Sequence, residues 1–193
     1  MGGQNISRES GWSEVTDSEW TVIRITKAAD WVSEGEITVL RDVALEDDQG
    51  LSTIRIDPNG EPRREIRQAA RRRETEPGRN GETFRIAKSH ILVQIDQRLK
   101  KAIEPAGVKI ALFQDDYQTW HIVILEEDKP GTSPEFSAAA KEAIQENPDL
   151  IKLFNREGEQ LTQEQAASMI RETKRRQEAD LEKFQARSQK KTP

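Results

Sequence analysis

The chain has 193 residues, a formal charge of −5 and equal shares, 34% each, of hydrophobic and charged residues. This is a polar chain with a restricted core, and no run approaches the roughly 18 apolar residues that span a bilayer. Cysteine is absent, which excludes disulfides, thiolate nucleophiles, thiolate zinc sites and iron–sulfur clusters, and fits a reducing cytoplasm.

Residues 1–18 are polar, with Trp12 as their only aromatic side chain, and read as a flexible arm that orders when it docks. The first residues hold no apolar h-region, so no secretory signal is expected, and Ile6 stands where a myristoylation signal needs serine or threonine. A core domain is expected over 19–128. Residues 20–26, 36–45 and 51–56 are rich in β-branched and apolar side chains, and the polar sequences at 47–50 and 57–60 are turn signals, so the N-terminal third reads as a β-meander. Residues 28–33 suit a short helical turn.

Residues 61–76 favour helix by propensity, with only Ile66, Ala69 and Ala70 as an apolar strip. The arginine-rich segment 61–80 therefore reads as a surface insertion, ending in the boundary-like sequence 77–81. A short strand is expected at 83–86. In 89–104 the residues Ile91, Leu92, Ile95, Leu99, Ala102 and Ile103 recur at helical spacing, with Ser89 as N-cap and Pro105 and Gly107 as the stop. Residues 108–114 and 119–126 read as a hairpin about the turn 115–118, pairing Gln114 with Thr119, Phe113 with Trp120 and Leu112 with His121. Both of its faces are apolar, which predicts interior strands covered from two sides, one cover being the Ile91, Ile95 and Leu99 stripe.

A helical extension is expected over 133–187, followed by a tail at 188–193. Ser133 and Pro134 make an N-cap and first helical position, Asn147 and Pro148 start a short helix through 150–154, and Thr162 with Gln165 forms a capping box. The last helix packs through Ala166, Met169 and Ile170 and then projects, almost wholly charged, with Leu181 and Phe184 its only large apolar residues. The fold class is thus α+β: an antiparallel sheet containing the hairpin 108–126, the helix 89–104 on one face, and the helical extension.

The chemistry is mostly exclusion. Asp115 and Asp116 lie about 20 Å along a strand from Glu126, Glu127 and Asp128, too far for one cation to bridge. The acidic turns at 46–50 and 57–60 lack the end ligands of a calcium loop. Of the two histidines, His121 is expected opposite Leu112 on an apolar face without carboxylate neighbours, and His90 in a first helical turn. Neither a G-x-S-x-G elbow, a Walker A sequence nor G-x-G-x-x-G occurs. No catalytic residue, metal site or cofactor is therefore expected.

Charge is segregated: 61–80 holds seven arginines against four glutamates, 171–193 holds eight basic residues against four acidic ones, and 104–149 is acidic. The leading functional expectation is a non-enzymatic protein-interaction or assembly module in the cytoplasm. It would bind a protein partner or another copy of itself through Arg175, Arg176, Leu181 and Phe184, with no membrane involved. The alternative is a nucleic-acid-binding accessory protein contacting phosphates through Arg63, Arg64, Arg67, Arg71, Arg72 and Arg73.

Overall fold

The structure, a computed structural model of the chain, describes residues 11–31, 45, 50–77 and 83–189. Its centre is a seven-stranded antiparallel sheet in the order β1-β5-β6-β3-β2-β4-β7. The strands are β1 (Trp12–Glu14), β2 (Thr21–Lys27), β3 (Leu51–Ile56), β4 (His90–Asp96), β5 (Ile110–Asp115), β6 (His121–Glu126) and β7 (Ile151–Phe154). The helices are α1 (Pro62–Thr75), α2 (Gln97–Ile103), α3 (Pro134–Glu146) and α4 (Gln163–Gln189). The α+β class, the antiparallel sheet with its hairpin and the C-terminal helix are as expected. Among the described residues no helix is long and apolar enough to cross a membrane. The strand expected at 36–45 and the boundary at 77–81 fall largely outside the described residues.

Strand alternation sends side chains to two cores. On one face Val22, Leu51, Ile91, Val93, Ile110, Leu112, Ile122 and Ile124 pack under α2, α3 and the first turns of α4. On the other, Ile23, Ile54, Ile56, Leu92 and Phe154 meet Ile66, Ala69 and Ala70 of α1 and Ile86 of the following segment. The arginine-rich helix thus lies on the surface with its inner side packed on the sheet. Its narrow apolar strip, Ile66 included, is fully sealed against the sheet. Glu61 caps its first turn by accepting from the Arg63 and Arg64 amides.

The helix expected over 89–104 divides into two elements. His90–Asp96 is β4, an interior strand paired with β2 along its whole length and with β7 over four residues, and only 97–103 is helical. The run Ile91, Leu92, Val93 explains the difference: a strand buried on both faces is apolar without alternation, so it mimics a helical stripe over seven residues. Asp96, not Ser89, caps α2, accepting from the Arg98 amide, while Gly107 ends the helical segment in the left-handed conformation as its position suggests. Residues 150–154, expected as helix, instead enter a single 3₁₀ turn and then β7, with Leu153 and Phe154 facing opposite cores. Residues 83–86 form no strand; Phe84 and Ile86 pack against the second core as coil.

The hairpin register also differs. Phe113 pairs with Val123, Leu112 with Ile124 and Gln114 with Ile122, three positions from the expected pairing. Asp115 causes the shift: its Oδ1 accepts from the amides of Tyr117 and Gln118, so residues 116–120, Thr119 and Trp120 included, belong to the connection. An odd displacement exchanges the faces of one strand relative to the other. Of the N-terminal arm, Trp12–Glu14 docks as edge strand β1 on β5; residues 1–10 lie outside the described residues.

Truncating Ile66, which has no exposed surface, to alanine should cost about 2–5 kcal/mol through lost transfer energy and a cavity. Urea denaturation checks this, and Arg67→Ala on the outer side should shift stability by less than about 0.5 kcal/mol.

Candidate functional site

Burial of Ile66, Ala69 and Ala70 fixes where the six arginines of α1 point. Arg63, Arg64, Arg67 and Arg71 fall on one flank, and they line a groove of about 520 Å³ whose other wall is the turn after β7, with Arg156 and Glu157. Arg72 is exposed and outside this groove. Arg73, seven residues after Ile66, returns to the inner side, where its guanidinium lies 5.2 Å over the Phe84 ring. Burial lowers its pKa. Of the six arginines, Arg63, Arg64, Arg67 and Arg71 share the groove, Arg72 stands apart, and Arg73 turns toward the sheet.

Two of the groove's cations are paired. Arg63 meets Glu159 at 3.1 Å and Arg156 meets Glu74 at 3.0 Å. Among the described residues no ion pair holds Arg64, Arg67 or Arg71, so three guanidiniums face solvent together. Among the described residues no aromatic ring lines the groove, so it offers charge without a stacking platform. The turn is held close because Gly158, at φ +76°, sits against Arg63: a Cβ there would lie 2.4 Å from the Arg63 carbonyl oxygen.

The second candidate surface is α4. Its start is fixed by the expected capping box, the Thr162 amide donating to Gln165 Oε1 and the Gln165 amide to Thr162 Oγ1. Ala166 and Ile170 are buried in the main core. Beyond Ile170 the helix continues for nineteen residues, about 28 Å at 1.5 Å per residue. The described side chains there are exposed, apart from partly covered Thr173 and Ala179. Arg175 and Arg176 lie on this stretch, Arg176 pairing with Glu172, and Leu181 is 57% exposed. The Phe184 side chain lies outside the described residues.

The register of β5 and β6 changes the surroundings of His121. It stands not opposite Leu112 but on the face of Asp115, whose Oδ2 is 3.5 Å from His121 Nδ1, and Nε2 is 2.9 Å from Ser52 Oγ on β3. Trp12 lies edge-on to the imidazole at 5.3 Å between ring centroids. The carboxylate neighbour missing from the sequence reading was therefore present three residues along. Only a correct register finds it. His90, expected in a helix, begins β4, and its Nδ1 accepts from the Ala87 amide. Among the described residues no group of three or more metal-ligating side chains converges.

Gly158→Ala should destabilise the chain by about 1–3 kcal/mol through left-handed strain and the clash with Arg63, and should release the turn from α1. The thermal midpoint and the exchange rates of amides 155–160 check both effects. No protein-family model, curated protein or solved structure matches this chain.

Proposed function

We propose that this protein is an assembly module that holds a protein partner, or a second copy of itself, through the projecting part of α4. The observation that carries this reading is the length of helix beyond its last buried residue, Ile170. A helix needs either a packed apolar stripe or many local ion pairs to persist in water. This stretch makes local pairs that include Arg176 with Glu172 and Lys183 with Asp180. It also exposes Leu181, with Phe184 three residues further on. Apolar residues at that spacing amid alternating charges suit a helix-to-helix contact. The absence of cysteine suits a reducing compartment, and we place the module in the cytoplasm.

A second reading rests on Arg64, Arg67 and Arg71. Three guanidiniums without ion pairs among the described residues, spaced on one helix flank, match the geometry of phosphate contact. That reading makes the protein a nucleic-acid-binding accessory factor.

The test of the first reading must preserve the folded body, so the truncation belongs after Thr173, since Ala166 and Ile170 are part of the core. Light scattering of the full chain against the shortened one should show loss of an oligomer or of a captured partner, and Leu181→Ala should weaken the same association. A full chain that stays monomeric and loses no interaction on truncation would contradict it. For the second reading, nucleic-acid affinity should fall steeply with salt, and Arg67→Ala with Arg71→Ala should reduce the logarithmic salt slope by about 2. Absence of binding at low salt removes that reading.

A further inference from the structure

The row formed by Asp115, His121 and Ser52 goes beyond a binding role. Cross-strand pairing sets Asp115 level with His121, and Ile54 pairs with His121 two residues from Ser52, so one face presents all three. Asp115 has no exposed surface. Its Oδ1 serves the turn, accepting from Tyr117 and Gln118, and its Oδ2 is the oxygen directed at Nδ1, 3.5 Å away. A carboxylate there favours the imidazole tautomer with its proton on Nδ1, which leaves Nε2 as acceptor for the Ser52 hydroxyl at 2.9 Å. Ser52 is exposed, and with His121 it lines a cleft of about 220 Å³ walled by Phe84, Trp120, Arg24 and Arg73.

We infer that Ser52, His121 and Asp115 form a hydrolytic centre for small carboxylic esters, with Ser52 as nucleophile, His121 as general base and acid, and Asp115 as positioning residue. Nucleophile, base and orienting acid recur on unrelated folds and are recognised by their mutual geometry rather than by a sequence elbow. Ser52 Oγ bonds to the acyl carbon as its proton passes to Nε2. The bond from that carbon to the alcohol oxygen breaks, and the departing alkoxide takes the proton from Nε2. Water then attacks the acyl-serine, giving a proton to Nε2 that returns to Ser52 Oγ as the carboxylic acid leaves. The cleft lies below the roughly 300 Å³ at which drug-sized pockets begin, so the acyl group is short, and the flat rings of Phe84 and Trp120 favour an aryl alcohol. The Arg24 guanidinium donates to the Ser52 carbonyl at 3.4 Å, and Arg73 lines the same cleft. Positive charge on that side favours the oxyanion that develops on attack.

The experiment is covalent labelling of the full chain with a serine-directed fluorophosphonate, located by peptide mass spectrometry, alongside p-nitrophenyl acetate hydrolysis across pH. Label is expected on Ser52 and absent in Ser52→Ala, which removes only an exposed hydroxyl and should keep the wild-type circular dichroism. Asp115→Asn keeps an oxygen for the turn amides but loses the charge. It should slow both labelling and hydrolysis by about 100-fold or more. No labelling of the wild-type chain, label on another residue, or hydrolysis unchanged in Ser52→Ala would each overturn the assignment. Truncation after Thr173 should leave labelling intact, so this result stands apart from the assembly reading.

Discussion

The pairing of β5 with β6 decides which side chains meet on each face of the sheet, and a buried carboxylate sets it. Asp115 accepts two turn amides through one oxygen. The connection thereby lengthens to residues 116–120, and Phe113 is brought opposite Val123. From that single parity follow the placement of Ile110, Leu112, Ile122 and Ile124 in the main core and of Phe113, Val123 and Leu125 beside Trp12 on the other face. Gly50 belongs to the same arrangement. At φ +84° it lies so close to β6 that a Cβ would fall 2.5 Å or less from Val123 and Leu125 side-chain atoms.

Covering a sheet on both faces demands helices on both, and the economy of this chain lies in what those helices leave outside. The apolar strip of α1 is only wide enough to seal the second core, so its remaining surface is polar and rich in arginine. The same division acts on α4 along its length rather than around its girth, since its first turns complete the main core and the rest extends beyond it. Both charged surfaces are thus consequences of a restricted core in a chain where charged residues equal hydrophobic ones in number. The accessibility of those surfaces is fixed by packing.

Several signals carried by short-range hydrogen bonds were legible in the sequence. Ser133 caps α3, Thr162 and Gln165 close their reciprocal box, Asp57 holds its turn by accepting from Asn59, and Gly107 ends a helical segment. The Ile66, Ala69 and Ala70 strip was legible too, although its isolation from other apolar residues hid how deeply it would be buried. Apart from the Asp96 cap and the Asp115 turn, what failed depends on distant partners. Residues 90–96 lack alternation because two covered faces both need apolar groups, and in a short apolar run strand and helix periods then fit equally well. Residues 151–154 form a strand only because β4 offers an edge to pair with. The site around His121 stayed hidden for the related reason that face membership across a hairpin depends on loop length, and the double use of the Asp115 carboxylate cannot be read from composition.

The two functional regions have separate physical origins, one in projecting charge and the other in a polar row across apolar strands, but both presuppose the strand pairing. That pairing is tested most directly by cross-strand backbone NOEs in an isotopically labelled chain. Contacts between Phe113 and Val123 and between Leu112 and Ile124 are expected. Contacts between Phe113 and Trp120 and between Leu112 and His121 would instead close the hairpin through a shorter turn, separate His121 from the face of Asp115, and contradict the account.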